Sequence, residues 1–206
     1  MSRIEDKEFH VELPEQKTGG CSFAMVASTR AGKTTMLKHI IEKYFDKHIK
    51  LLMSASVHAD IYRDIDDCIK IPKFSSRLVK EGYEINRRIH NYYPFLYILD
   101  DIVDQKFSKE LLKLFTIYRN SGISAIISIQ SLKLLNTASR GNINYVLLGK
   151  LNSDEAIEQV IRAYLMSYLS GRMEEKIRSY KAITEGHHFI VVDNLTGEVF
   201  RTKIRV

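Results

Sequence analysis

The sequence predicts an α/β fold: a mostly parallel central sheet flanked by helices, with a β-hairpin at the C-terminal end. Three observations predict it. Apolar runs of strand length alternate with helical patterns along most of the chain, the alternation that builds parallel sheets. The earliest strongly apolar run, residues 22–26, leads through a polar loop into Gly32-Lys33-Thr34-Thr35, which opens a helical pattern carrying Leu37, Ile40, Ile41 and Tyr44. Near the end, residues 188–192 and 198–204 flank Asn194 to Gly197, which reads as a hairpin turn.

The totals fit this class. The chain has 206 residues, 45% of them hydrophobic, which suits a single domain spanning 1–206 with a sizeable core. Ten glycines and three prolines argue against a low-complexity or collagen-like chain. Lysine and arginine number 31 against 25 acids, a net charge of +6, which suits a polyanionic partner without requiring one. Cys21 and Cys68 lack metal-ligand spacing and form no disulfide framework, so a reducing, intracellular compartment is expected. Residues 1–8 are charged and hold no apolar stretch of signal-peptide type. Every apolar run breaks well before the roughly 20 residues that cross a bilayer, so no transmembrane segment is expected.

In order, residues 1–20 are a polar segment ending in Gly19-Gly20, with Phe9, Val11 and Leu13 alternating as an edge strand before Pro14. Residues 22–26 form the first core strand, and a helix runs to about Phe45. Residues 49–54 form the second buried strand. Asp60, Asp64, Asp66 and Asp67 mark a solvated helix face. After Pro72, Ser75 or Ser76 caps a helix with Leu78, Ile85 and Ile89 on one side and Arg77, Lys80, Arg87 and Arg88 as a basic exposed face. Residues 95–99 form a strand that ends in Asp100-Asp101. Ser108 caps the following helix, whose buried stripe is Leu111, Leu114, Phe115 and Tyr118, and Gly122 stops it in a left-handed conformation. Residues 123–129 form a fourth strand, with Gln130 at its tip. A polar loop with Lys133 and Arg140 leads to a fifth strand at 145–148. Asn152 and Glu155 form a capping pair for a helix built on Ile157, Val160, Ile161, Tyr164, Leu165 and Tyr168. Gly171 interrupts it, a second helix spans about 173–181, and residues 183–206 form the hairpin. His187-His188 is a poor metal pair, because neighbours on a strand face opposite ways.

Strand, loop and helix around Gly32-Lys33-Thr34 are the context of a phosphate-binding P-loop. Backbone N–H groups and the positive end of the helix dipole converge there on a polyphosphate. The loop is Ser28, Thr29, Arg30, Ala31, Gly32, Lys33, Thr34 and Thr35. Lys33 would neutralise the outer phosphates and Thr34 would offer its hydroxyl to Mg²⁺. The usual pattern is G-x-x-x-x-G-K-[ST], and Ala27 replaces its first glycine, so position 27 must be extended if the loop is real. Two acids ending a strand downstream supply the second half of such a site. Asp100 would hold the Mg²⁺ shell and Asp101 would orient or deprotonate the attacking water. Gln130 carries a donor and an acceptor that would sit beside the γ-phosphate. No N-K-x-D guanine signature occurs, which favours ATP over GTP. A small-molecule kinase or nucleotide switch, and a non-catalytic basic DNA-binding protein, are the alternatives.

The order Lys33-Thr34, Asp100-Asp101, Gln130, then Ser139-Arg140-Gly141-Asn142, resembles the FtsK–HerA superfamily of pumping ATPases. It looks most like the compact genome-packaging ATPases of poxviruses, other large nucleocytoplasmic DNA viruses and virophages. The stretch from Tyr118 to Gln130 is the most telling, and the resemblance covers about residues 20–150. It implies a RecA-like core, a ring of identical subunits (pentamer or hexamer) and ATP-driven movement of double-stranded DNA into a preformed capsid. It implies sensing of the γ-phosphate at Gln130 and an arginine finger from a neighbouring subunit, for which Arg119 and Arg140 are the candidates. A capsid vertex or an inner-membrane component of the virion, and residence in host cytoplasm, viral factory or virion, belong to the same implication. Asp101 departs from the glutamate usual in cellular members.

Overall fold

In a computed structural model, which describes residues 4–14, 19–101 and 109–203, the described strands form one nine-stranded sheet. The strands are β1 (Glu5–Asp6), β2 (Ser22–Val26), β3 (Ile49–Ser54), β4 (Cys68–Ile71), β5 (Phe95–Asp100), β6 (Ile123–Ile129), β7 (Tyr145–Leu148), β8 (His188–Asp193) and β9 (Val199–Lys203). Their spatial order is β1-β9-β8-β7-β2-β6-β5-β3-β4. Only β7–β8 and β8–β9 pair antiparallel; every other pairing is parallel. The sheet is thus mostly parallel, and the expected C-terminal hairpin is β8 and β9.

Six helices accompany the described strands: α1 (Lys33–Tyr44), α2 (Ser76–Arg88), α3 (Lys109–Thr116), α4 (Thr137–Arg140), α5 (Asp154–Val160) and α6 (Met173–Ile183). Strand side chains alternate between two cores. Phe23, Met25, Leu52, Leu96, Ile98, Ile126 and Leu147 pack with Met36, Leu37, Ile40 and Ile41 of α1. Ala24, Val26, Met53, Tyr97, Leu99, Ile127 and Val146 pack with residues of α2, α3, α5 and α6. Both faces of the sheet are covered, which is why the central strands read as continuous apolar runs.

Four local expectations are corrected. The edge strand is not at Phe9–Leu13 but at Glu5–Asp6, paired with β9. Phe9 and Val11 are buried in irregular backbone, where Phe9 packs against Tyr44, Tyr145 and Phe200. The acidic stretch is not a helix face: residues 60–62 make a single short 3-10 turn, followed by the unexpected edge strand β4. On α2 the buried line is Val79, Gly82 and Asn86, while Ile85 is exposed. Tyr97 lies so close over Gly82 that any added Cβ would collide with its hydroxyl, and Asn86 Nδ2 donates to the Ser121 carbonyl. Close approach and a polar contact therefore outrank hydrophobicity there. The α5 cap is Ser153, which accepts from the Ala156 N–H, not the Asn152–Glu155 pair. The Ser108 cap lies outside the described residues.

Candidate active site

Lys33, Asp100, Asp101 and Gln130 all lie just past or at the C-terminal ends of β2, β5 and β6, neighbours in the sheet. Ligands of parallel α/β sheets bind at this rim, where connections leave for opposite sides. Here the chain leaves β2 for β3 on one side, and later passes from β6 across β2 to β7.

The loop after β2 is extended at Ala27, whose N–H donates to the Ile129 carbonyl. Its left-handed residues are Arg30, at φ 63°, and Gly32, at φ 86°. Position 27 therefore needs no glycine, because the left-handed turns fall three and five residues later, the first of them on Arg30. Ala27 is fully buried, and a Cβ on Gly149 would stand 2.9 Å from its own Cβ, so residue 27 must be small. Ser28 ties the loop to the β7–α5 connection: its N–H donates to the Lys150 carbonyl and its Oγ accepts from the Asn152 N–H. Gly32 opens α1 with no side-chain cap and no acid in the first turn. The first-turn amides and the positive helix end thus lie ready for an anion.

Lys33 is 7% exposed, and its Nζ donates to the carbonyls of Ala27 (2.8 Å) and Ser28 (3.0 Å). Burial pulls its pKa below the ordinary lysine value, while Asp101 and Asp100 oppose that pull. The ammonium is folded into its own loop.

Asp100 shares the α1 face with Leu96 and Ile98 by strand alternation. In register it lies between Ser54 of β3 and Ser128 of β6, each 1% exposed or less. These residues form a polar row across three strands inside an apolar core. Tyr62, 3% exposed, donates its phenolic hydrogen to Asp100 Oδ2. Asp100 Oδ1, Asp101 Oδ1 and Ser128 Oγ are buried without a hydrogen-bond partner. Burial raises the Asp100 pKa above the usual carboxylate range. Asp101 adopts φ 49° and donates its N–H to the Ser128 carbonyl. Buried carboxylate oxygens left without donors suit a hard divalent cation with its water shell, so the donor set of Thr34 and Asp100 fits Mg²⁺. Gln130 is exposed at the tip of β6.

Among the described residues, neither arginine candidate makes a hydrogen bond to this cluster. Arg119 precedes β6, at the opposite end of the sheet, and its Nη1 donates to the Asn142 carbonyl. Arg140 donates from Nε and Nη2 to the carbonyls of Leu135 and Leu132, in the segment that follows Gln130. Two contributors escaped the sequence reading. Tyr62 sits in an acidic turn with no motif around it. His187, at φ 63°, precedes β8, and its ring lies against the P-loop: a Cβ on Gly32 would stand 3.4 Å from its Nδ1. His188 Nδ1 instead bonds the Glu185 carbonyl. A doubled histidine was the only visible signal for this contact.

A model of the family described as poxvirus A32 protein matches residues 15–202. Among solved structures, the chain is similar to the genome packaging NTPase B204 of Sulfolobus turreted icosahedral virus 2 in complex with AMPPCP. The TM-score is 0.65 at 13% identity, over 90% of this chain and 98% of that one. It is similar to the DNA-packaging ATPase B204 of Sulfolobus turreted icosahedral virus at TM-score 0.61 and 14% identity, over 93% and 100%. The conjugation coupling protein TcpA of pCW3 matches at TM-score 0.58 and 12% identity, over 91% and 60%. At these identities the likeness establishes the fold, that of a P-loop NTPase. No curated protein matches the chain.

Proposed function

The chain belongs to the poxvirus A32 protein family, and on that premise we propose that it is an ATP-hydrolysing motor that packages double-stranded viral DNA into a preformed capsid. The observation that carries this reading is the meeting of Lys33, Asp100, Asp101 and Gln130 at one rim of three adjacent strands. The loop from Ser28 to Thr35 wraps the phosphates with backbone amides. Lys33 leaves its two loop carbonyls and neutralises the outer phosphates. Thr34 and Asp100 would hold Mg²⁺, which would offset phosphate charge. Asp101 orients and deprotonates the attacking water, and Gln130 reads whether the γ-phosphate is present. An arginine from the neighbouring subunit of a ring completes the charge at the transition state, a contribution of about 10³–10⁵ in rate. Arg119, held by one carbonyl, is freer to serve than Arg140, held by two. Grip on DNA without regard to sequence comes from phosphate contacts, which the net charge of +6 favours.

Sheet order also supports a direction for the nucleotide. Asp100 and Gln130 stand on β5 and β6, to one side of β2, so the γ-phosphate would lie there, and ribose and base would leave toward β7 and β8. On that side lies a cavity of about 370 Å³, lined by Lys150, Asn152, Lys181 and Glu185 among others, and the His187 ring lies against Gly32 of the loop. Replacement of His187 by alanine should weaken ATP binding about two- to tenfold, the worth of one ring contact. An unchanged Kd by calorimetry would remove His187 from the nucleotide site.

The deciding experiment is steady-state ATP turnover against protein concentration, with and without long double-stranded DNA. Turnover per subunit should rise steeply with concentration and further with DNA, and Lys33→Ala should lower it about 100-fold or more. A Lys33→Ala chain that hydrolyses ATP at the normal rate would sink the mechanism. Hydrolysis indifferent to both concentration and DNA would leave an ATPase that is no motor.

A further inference from the structure

Tyr62 donates to Asp100 from outside both the P-loop and the acid-bearing strand β5. It comes from the connection between β3 and β4. Its ring packs in the α1-side core with Leu52, Val57, Ile65 and Ile98. That packing fixes where the phenol can point. The hydroxyl reaches past Ser54 to Asp100 Oδ2 and leaves Oδ1 without a donor.

The consequence follows from hydrogen-bond inventory. An ionised carboxylate accepts from several donors and, when free, turns about its χ2 torsion. One donor anchored on Oδ2 stops that rotation. The second oxygen, like Asp101 Oδ1 and the neighbouring Ser128 Oγ, is buried without a fixed hydrogen-bond partner. No arginine or lysine makes a hydrogen bond to the Asp100 side chain among the described residues. A cationic partner there would compete with a divalent ion, whereas a neutral phenol orients the carboxylate and leaves its charge for the metal. Outer partners of metal-binding carboxylates act in this way, and their loss typically costs 10–100-fold in metal affinity.

We propose that Tyr62 is a positioning residue for the divalent metal site, holding Asp100 so that a single carboxylate oxygen is presented to the ion. This rests on the nucleotide-site reading above and adds to it a residue outside both phosphate loop and acidic strand end. The same contact joins the metal site to the outer surface, because Tyr62 lies between exposed Asp60 and Arg63, which pair with each other at 2.8 Å.

The test compares wild type with Tyr62→Phe in the full chain. Phenylalanine keeps the ring and removes only the hydroxyl. Binding of Mn²⁺ in the presence of AMPPCP is read by the electron paramagnetic resonance of free and bound ion. Binding of AMPPCP in EDTA and the melting temperature are measured alongside. Mn²⁺ affinity should fall about tenfold or more, while AMPPCP binding in EDTA stays within about twofold. Mn²⁺ affinity equal to wild type overturns the assignment, whatever the melting temperature does. Equal losses of Mn²⁺ and metal-free AMPPCP binding overturn it too, because they mark a general structural defect. A wild-type chain that binds neither Mn²⁺ nor AMPPCP overturns the nucleotide reading itself, and the Tyr62 assignment with it.

Discussion

Ala27 shows how one residue carries a motif through a change of sequence. A glycine in that place is usually explained by backbone freedom, but the backbone at Ala27 is extended and needs none. The freedom is spent at Gly32, and at Arg30, which accepts a left-handed conformation costing about 1–2 kcal/mol. His48 illustrates a different economy. Its Nδ1 is buried without a partner, and burial, with Lys50 adding to it, pushes its pKa down to about 4. The unfolded chain takes up a proton near pH 6.5, which the folded chain refuses until about pH 4. Stability from this site is therefore complete above pH 6.5 and is lost as pH falls from there toward 4. The melting temperature of wild type should drop over that interval, and His48→Gln should flatten the drop. Parallel pH profiles for the two proteins would show that His48 does not titrate as its surroundings dictate.

The P-loop is positioned by a neighbouring connection as much as by its own strand and helix. Ser28 bonds Lys150 and Asn152, in the link between β7 and α5. The start of α5 lies one residue further, where Ser153 Oγ accepts from Ala156 N–H and Asp154 and Glu155 fill the first turn. Ser153→Ala should cost about 1 kcal/mol of stability, measured by urea denaturation, as loss of a cap. A change below about 0.3 kcal/mol would mean that solvent replaces the cap. The α5 cap and the α2 face show where periodicity stops helping. Serine, asparagine and acids cluster at 152–155, and several of them can cap, so spacing alone does not choose. On α2 Ile85 faces outward while Gly82 and Asn86 face the core with Val79, and contact with Tyr97 admits nothing larger than glycine at position 82.

At the scale of the complete sheet, the expected concentration dependence of turnover has its reason. The described acids, lysine and glutamine gather at one rim, yet Arg119 and Arg140 stay bound to carbonyls elsewhere. Neither of those two arginines bonds the acids, so under the proposed mechanism a second copy would supply the guanidinium. The strands that bear chemistry were legible from the chain alone, since the apolar runs leading to the Lys33 loop, to Asp100-Asp101 and to Gln130 owe their pattern to burial on both sides of a parallel sheet. Local sequence also marked the phosphate loop, the hairpin and the left-handed stop at Gly122, because each depends on residues within a turn of one another. The three-dimensional packing alone decided the strand order, the row of Ser54, Asp100 and Ser128, and the approach of Tyr62 and His187. Those are contacts between segments tens of residues apart, fixed by which side chains fill a shared core, and no short-range preference in the chain encodes them.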